Sequence, residues 1–308
     1  MRPLRHLRHL PHPSNHLRRQ LTTLPLTATF PPNCNACTCQ PTPATSSPID
    51  HETPLRHSAP AYTHHLLIPS KVPPQKWGSK IESTFADTPG PAIPGIGAHV
   101  AGLKAAFRGR PNEVGLITAV CPPVNQNEVW ALPAGRRFSG IETAQKWAEG
   151  KEEVETGALQ KGNRIPDSVD AVVLVCVHGT RDARCGEMGP PLIQQFEDVL
   201  AAKEVPKEKV VVAGCSHLSG HKWAGNVVVY RRHEQGTETE NDFWGVWYGR
   251  ITPKEVEAIV METVENGRVL DAGLLRGVVA AEVEVGGWTG GKGPAKRGSS
   301  REILRAEI

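Results

Sequence analysis

Two pairs of side chains that bind soft metals stand near the ends of two predicted strands. Cys176 and Cys185 form a C-x8-C pair, and His217 and His221 form an H-x3-H pair. Consecutive strands of an α/β sheet are usually neighbours, so the loops that follow them open at one edge of the sheet. Thiolates favour zinc, copper(I) and iron–sulfur clusters, and imidazoles bind zinc, copper and iron. The four residues therefore predict either a mononuclear zinc site or a [2Fe–2S] cluster with two histidines on one iron.

Each of these residues also has a structural interpretation. Cys176 alone would be an ordinary buried strand cysteine, and His221 alone could hydrogen-bond a carbonyl in a turn. Cys185 is harder to explain in this way, because it lies in a polar segment between Arg184 and Gly186. We therefore favour a metal centre.

A competing ligand set is present in the same motifs. Cys176-x-His178 and Cys215-x-His217 resemble the two boxes of a Rieske centre, each of which supplies one cysteine and one histidine. That choice leaves Cys185 without a role, and His221 as well. We expect Cys215 and His178 instead to orient a ligand or to donate to a bridging sulfide.

The elements that would position these residues alternate between strands and helices. Ala171–Val177 is a continuous apolar run, which is typical of a strand buried on both faces. Thr252 and Glu255 form a capping-box pattern at the start of the last helix, and Gly267 ends that helix. The order over residues 167–270 is β-α-β-β-β-α, that of a thioredoxin-like fold. The predicted strands are Ala171–Val177, Val210–Ala213, Asn226–Tyr230 and Phe243–Tyr248, and the predicted helices are Pro191–Lys203 and Pro253–Glu265.

A smaller α/β domain is predicted over residues 61–166. It offers no convincing chemistry, because Cys121 stands alone and Gly95-x-Gly97 lacks the third glycine of a dinucleotide-binding fingerprint. The predicted strands are Leu66–Ile68, Val114–Val120 and Glu128–Leu132, and the predicted helices are Trp77–Phe85, His99–Phe107 and Glu142–Glu149.

Residues 271–308 are predicted to form a flexible, glycine-rich tail. Gly286–Gly293 spells G-G-W-T-G-G-K-G, which is close to a phosphate-binding P-loop. Gly293 replaces the hydroxyl that would hold magnesium, and Pro294 would interrupt the helix that must follow. We expect no nucleotide binding there.

The first 60 residues differ in composition from the rest. They carry six arginines against two acidic residues, of which Asp50 is the first in the chain. An Arg-rich and Ser/Thr-rich start is typical of a mitochondrial transit peptide. We expect residues 1–60 to be a disordered leader and the protein to be mitochondrial, in the matrix; the alternative is a disordered tail on a cytoplasmic protein. Cys34, Cys37 and Cys39 lie in this leader among prolines and are interpreted as incidental.

Charge and apolar runs exclude several classes of protein. The formal net charge is +3, and most of the excess lies in the leader, so a broad nucleic-acid surface is not expected. The longest wholly apolar run, Ala171–Val177, has seven residues, whereas a membrane-spanning helix needs about 20. Seven unevenly spaced cysteines do not make a secreted disulfide framework.

Three motifs resemble those of a known family. C-V-H-G-T-R-D-A-R-C-G begins at Cys176, C-S-H-L-S-G-H-K-W-A-G-N begins at Cys215, and W-Y-G-R occupies Trp247–Arg250. They resemble the sucrase/ferredoxin-like family, whose thioredoxin-like ferredoxin domain carries a [2Fe–2S] cluster. The resemblance is strong over residues 165–270 and weaker over residues 60–165.

The resemblance implies a ligand assignment. Cys176 and Cys185 would bind one iron, and His217 and His221 would bind the other, in a non-Rieske arrangement. The word sucrase finds no support, since no pair of carboxylates is placed for glycoside hydrolysis.

The function expected is electron transfer or redox sensing, without an enzymatic pocket. Two imidazoles in place of thiolates make a cluster easier to reduce, and their second ring nitrogens can couple electron uptake to proton uptake. Arg181, Arg184 and Lys222 flank the ligands; they could favour the reduced state or dock an acidic partner, or could simply lie in solvated loops. The partners expected are a redox partner protein, which the sequence does not identify, and the iron–sulfur assembly machinery.

Two other functions compete with this one. A thiol-disulfide oxidoreductase on the same fold would need C-x2-C after the first strand, and Cys176 and Cys185 are too far apart in sequence for that. A zinc-stabilised interaction module stays open.

Overall fold

The structure is a computed structural model of the chain. It describes residues 23–27, 40–84, 96–108, 113–122, 128–149, 164–234, 241–279 and 282–284. Within these ranges, no helix combines the length and the apolar character that crossing a bilayer requires.

The described residues form a mixed α/β fold with a nine-stranded sheet and a separate three-stranded sheet. The strands are β1 Thr23–Thr27, β2 His64–Pro69, β3 Gly115–Cys121, β4 Val129–Leu132, β5 Arg136–Phe138, β6 Ala171–Cys176, β7 Val210–Cys215, β8 Val227–Arg232, β9 Phe243–Tyr248, β10 Val269–Leu270, β11 Leu275–Val279 and β12 Glu282–Glu284. The large sheet has the order β11-β9-β8-β6-β7-β3-β2-β4-β5, and the small one has the order β10-β1-β12.

Helices cover the large sheet. They are α1 Ile96–Arg108, α2 Ile141–Ala148, α3 Ala183–Ala202 and α4 Pro253–Ile259, and α4 continues as a π-helical turn over Val260–Glu265. The order β6-α3-β7-β8-β9-α4 confirms the predicted β-α-β-β-β-α arrangement. The capping box of Thr252 and Glu255 is present at the start of α4, and Gly267 follows the helix with a φ of +64°.

The two predicted domains contribute to one continuous sheet. β3 pairs with β7 in antiparallel register, with Val120 opposite Cys215 and Cys121 opposite Gly214. β6 and β7 are parallel neighbours, and Cys176 lies opposite Cys215 at the end of both strands. The domain boundary near residue 166 stays a prediction, but the sheet crosses it.

Alternate residues of β6 supply two cores on opposite faces. Val173 and Val175 pack with the helices on one face, while Leu174 and Cys176 belong to the core on the other face, which also contains Cys185. This alternation is the period of two that a pleated strand imposes. Two of the candidate ligands, Cys176 and Cys185, therefore lie within a hydrophobic core.

The predicted flexible tail is wrong for residues 275–279 and 282–284, which form β11 and β12. Leu275–Val279 forms β11, which pairs antiparallel with β9. Leu275 and Val278 are buried in the helix-covered core. Their burial offsets the entropy cost of ordering this short edge strand, so the segment folds. The P-loop-like segment Gly286–Gly293 lies outside the described residues.

The disorder predicted for the leader is wrong for residues 23–27 and 40–60, whereas the transit-peptide role stays a prediction. Thr23–Thr27 forms β1, and Leu55 is buried. The backbone N–H of Asp50 donates to the carbonyl of Lys222 at 2.8 Å, so this segment lies against the loop that precedes β8. Cys34, Cys37 and Cys39 lie outside the described residues.

Two predicted helices are also corrected. The segment Trp77–Phe85 holds only a 3-10 turn at Ile81–Ser83 as far as it is described, because Ser83 and Thr84 bond local backbone groups with their hydroxyls. The helix predicted from Pro191 begins eight residues earlier, at Ala183. Asp182 caps it, and Pro190 and Pro191 lie inside the helix rather than in its first turn.

Candidate metal centre

Three elements bring two cysteines and a histidine together. Cys176 is the last residue of β6, Cys185 lies in the first turn of α3, and His217 follows β7 by two residues. One ligand atom from each lies within 4.8 Å of the others. Both cysteines are buried, and His217 is partly buried. Atoms this close can bind one metal centre.

The start of α3 explains why Cys185 reaches Cys176. The side chain of Asp182 accepts a hydrogen bond from the backbone N–H of Arg184, and the Asp182 carbonyl accepts one from the N–H of Cys185 at 3.1 Å. This N-cap begins the helix close to the end of β6. Gly186 packs on Gly179, where a Cβ atom would approach the Gly179 Cα to 2.7 Å. The first turn therefore lies directly against the loop that follows β6.

His221 lies beside the group of three rather than within it. Its ring centroid is 5.4 Å from that of His217, and the loop between them turns through left-handed backbone at Ser219 and Gly220, each with a φ of +68°. The Nε2 atom of His221 is 3.8 Å from an Asp182 carboxylate oxygen, and its side chain is 42% exposed. His221 is thus the ligand candidate that faces solvent.

Within the site, two buried imidazole nitrogens have no hydrogen-bond partner among the described residues. They are Nδ1 of His217 and Nδ1 of His221. A buried polar atom without a partner costs free energy, so each needs an explanation. Metal coordination is one that explains both, because a neutral imidazole binds a metal through an unprotonated nitrogen.

One of the two candidate ligand cysteines ionises readily, and the other keeps its proton. A hydrogen bond from the Cys185 thiol, helped by His217 and by the backbone N–H groups of His178 and Leu218, holds the pKa of Cys176 well below its usual range. The same contact with Cys176 and burial raise the pKa of Cys185. The site therefore favours one thiolate even without metal, and a bound cation would favour a second.

His178 is held away from the ligand group. Its Nδ1 accepts from the backbone N–H of His217 at 3.1 Å, and its Nε2 donates to the Gly78 carbonyl at 2.8 Å. Both ring nitrogens are therefore used, and the ring packs edge-on against Trp77. This arrangement argues against the Rieske-like ligand set, which needs a free nitrogen on His178. Instead His178 positions the backbone of His217.

The remaining predicted residues surround the group. Cys215 is buried next to Cys176 in the adjacent strand, and burial together with the charge of Cys176 raises its pKa. Arg184 forms an ion pair with Asp182, and Lys222 forms one with Asp50 at 3.0 Å. Arg181 is exposed. Two of the three cations are thus paired with carboxylates, so the surface is less positive than the sequence indicated.

Sequence reasoning missed three residues near the site. Asp182 could have been found, because an aspartate before a helical segment is an N-cap signal. Asn226 stands in the second motif but showed no role; its side chain bonds the Gly220 carbonyl at 3.0 Å. Arg276 lies in the segment predicted as a tail, and no local pattern marks it.

A comparison with protein families covers most of the chain. Residues 55–277 match the model of the sucrase/ferredoxin-like family. The chain belongs to this family. The match includes all four candidate ligands and extends past residue 270, to β11.

Several relatives of this sucrase/ferredoxin-like chain carry the same name. Altered inheritance of mitochondria protein 32 of Clavispora lusitaniae is 40% identical over 99 residues, which are 32% of this chain and 32% of that protein. The protein of the same name from Meyerozyma guilliermondii is 37% identical over 124 residues, and the match spans 40% of its length. The one from Saccharomyces cerevisiae (strain YJM789) is 26% identical over 275 residues, which are 76% of this chain and 85% of that protein.

Among solved structures, a thioredoxin-like [2Fe–2S] ferredoxin from Aquifex aeolicus is similar to part of the chain. It is 21% identical, covers 35% of this chain and 90% of its own, and aligns with a TM-score of 0.27.

Proposed function

We propose that this protein is a [2Fe–2S] electron-transfer or redox-sensing protein whose cluster is held by Cys176, Cys185, His217 and His221. The observation that carries the proposal is the grouping of three ligand atoms within 4.8 Å, beside two buried imidazole nitrogens that lack partners in the described part of the chain. Two thiols and two imidazoles are a donor set that iron–sulfur clusters accept. The order β-α-β-β-β-α from β6 to α4, which we predicted as thioredoxin-like, is consistent with this role.

The four candidate ligands approach the cluster site from two sides. Cys176 and Cys185 supply the two anionic ligands from the buried side, where the sheet and α3 exclude water. His217 and His221 supply neutral ligands from the solvent side. When bound, a [2Fe–2S] cluster takes up and releases one electron, and imidazole ligands make that uptake more favourable than four thiolates would.

His221 provides a route for a proton. With Nδ1 directed into the protein, its Nε2 atom faces Asp182 at 3.8 Å and is close to solvent. A proton on Nε2 can therefore be held by the Asp182 carboxylate or exchanged with water. We propose that proton uptake at this nitrogen accompanies electron uptake, and that a redox partner protein docks where His221 is exposed.

The proposed location is the mitochondrion. Relatives are named altered inheritance of mitochondria protein 32, and the start of the chain is rich in arginine and free of acidic residues before Asp50. The iron–sulfur assembly machinery would then supply the cluster.

A second candidate function is supported by one observation. Cys176 and Cys185, although eight residues separate them, have sulfur atoms within 4.8 Å, and the pKa of Cys176 is lowered. Sequence spacing therefore does not exclude a thiol-disulfide oxidoreductase. Both sulfur-bearing residues are buried, however, whereas reactive cysteines are partly exposed. A zinc ion could use the same three ligands.

The test is the visible spectrum and the iron and sulfide content of protein purified without air. A red-brown protein with equal amounts of iron and sulfide supports the proposal; a colourless protein with zinc, or with a Cys176–Cys185 disulfide after oxidation, contradicts it. Cys176→Ser and Cys185→Ser should each lose the cluster. Cys121→Ser is the matched control, because Cys121 is a free cysteine outside the ligand group, and it should keep full iron content.

A further inference from the structure

A fully buried arginine lies beneath the loop that carries both histidines. Arg276 has an exposed fraction of 0%. Its Nη1 donates to the Ser219 carbonyl at 3.2 Å and to the Asn226 Oδ1 at 2.8 Å, and its Nη2 donates to the Ser58 carbonyl at 2.9 Å. The guanidinium thus joins Ser58 to two points of the loop that precedes β8, one of which, Ser219, lies between His217 and His221.

A β-bulge directs this side chain toward the site. The register of β11 against β9 shifts between Leu275 and Gly277, so that Arg276 is the extra residue. Leu275 and Val278 can then both face the helix-covered core, while Arg276 enters the opposite face. Bulges are recurrent devices for re-aiming one side chain next to a functional site.

The guanidinium has no carboxylate partner among the described residues. Its hydrogen-bond acceptors are carbonyl, hydroxyl and amide oxygens, and it lies over the rings of Trp223 and Trp247 at 5.2 and 5.5 Å. Burial lowers the pKa of Arg276 to about 10, and the electrostatic influence of Cys176 and Cys185 acts against this shift. The side chain therefore stays charged at neutral pH, and a buried charge without a counter-charge is costly.

We propose that Arg276 is the positioning residue of the cluster site: it fixes the loop of His217 and His221 and, through its contact with Ser219 between them, holds a positive charge near the cluster. This inference rests on the proposed function. Electron uptake adds one negative charge to the site, and a fixed cation in a medium of low dielectric constant stabilises that added charge. Arg276 should therefore favour the reduced state.

Four variants of the full chain test the proposal. Arg276→Gln removes the charge, and Arg276→Lys keeps it. Asn226→Asp leaves the arginine in place and sets a carboxylate on the atom that accepts from it at 2.8 Å. This variant opposes the charge without removing the arginine side chain, and it also removes the amide that donates to the Gly220 carbonyl at 3.0 Å. Lys209→Gln is the control, because it removes one positive charge at the opposite end of β6 and β7, where Lys209 is 54% exposed.

The measurement is an equilibrium titration at pH 7 against a one-electron redox dye, with dithionite as the reductant. Arg276→Gln and Asn226→Asp should each shift the equilibrium with the dye at least about tenfold toward oxidised protein, which is about 59 mV for one electron. Arg276→Lys should stay within about threefold of wild type, and Lys209→Gln should not shift, because solvent screens its charge.

The outcomes separate this inference from the proposed function. A wild-type protein without iron and sulfide overturns both. A wild-type protein with a cluster, together with an unshifted Asn226→Asp variant, overturns this inference alone. Equal shifts in Arg276→Gln and Arg276→Lys would assign the arginine a packing role and also overturn it. If Arg276→Gln does not fold, the shift measured for Asn226→Asp decides whether this inference holds.

Discussion

Because of His65, the free energy of unfolding should be about 2 kcal/mol lower at pH 5 than at pH 7. The ring of His65 is fully buried, with Nδ1 at 2.8 Å from the Tyr230 hydroxyl and Nε2 at 2.9 Å from the Thr118 hydroxyl. Burial lowers the pKa of His65 to about 3. The folded protein therefore keeps this ring neutral at any pH above 4.

The sign of the effect follows from proton binding. The unfolded chain binds a proton at this histidine below its ordinary pKa of about 6.5, and the folded chain does not, so acid favours unfolding. Above about pH 6.5, His65 is neutral in both states and does not lower the free energy of unfolding. As the pH falls from about 6.5 toward 3, only the unfolded chain binds the proton, and the free energy of unfolding decreases. Between pH 7 and pH 5 the loss is about 2 kcal/mol. Because both pH values lie above the folded pKa, this figure depends almost entirely on the unfolded chain.

The assay is urea unfolding followed by tryptophan fluorescence, at pH 7 and at pH 5. His65→Gln keeps a neutral hydrogen-bonding side chain and removes the titration. The free energy of unfolding of wild type should fall by about 2 kcal/mol more than that of His65→Gln over this range. His51→Gln, at an exposed histidine, should behave like wild type. Equal losses in wild type and His65→Gln would refute the reasoning.

Two further predictions concern the ligands and the start of the chain. His221→Cys should keep the cluster and lower its reduction potential, since it adds a negative ligand. His178→Ala should keep iron and sulfide but lower the free energy of unfolding by roughly 1–3 kcal/mol, because two partly buried backbone groups lose their hydrogen-bond partner. Loss of the cluster in His178→Ala, with an unchanged potential in His221→Cys, would favour the Rieske-like set; iron analysis and redox titration decide. Deleting residues 1–22 should leave a folded, cluster-bearing protein in the cytosol, because that segment holds five of the six leader arginines. Deleting residues 1–60 should also destabilise the protein, since it removes the contacts of Asp50 and the buried Leu55. Cell fractionation measures the location of each deletion variant, and thermal unfolding measures its stability. Import of the 1–22 deletion into mitochondria would contradict the leader hypothesis.

Much of the site could be predicted from local signals. The apolar run Ala171–Val177 contains β6, all six residues of which are buried, and such a strand is recognisable because every residue in it is apolar. The run that leads into Cys215 forms β7, whose residues are buried except for the partly buried Val211 and Val212. Thr252 and Glu255 marked the start of α4 for an equally local reason, since a capping box spans four residues. The residue types of the two motifs then limited the chemistry to soft metals.

Other features depended on contacts between distant segments. The sequence placed Cys185 in a loop; the structure places it in a helix whose first turn packs on Gly179. The choice between His178 and His221 was also not local, because His178 is occupied by the carbonyl of Gly78, a hundred residues away. No pattern within a short window could report that contact.

What the sequence by itself determined is the set of candidate ligands, the order of strands and helices around them, and the family. What only the tertiary structure decided is which candidates meet and what charge surrounds them. Arg276 shows the physical reason. Its burial beneath the histidine loop depends on a one-residue bulge against β9, and a shift of one residue in strand register moves a side chain to the opposite face of the sheet. Register is set by the pairing of two strands, and neither strand's sequence contains it alone.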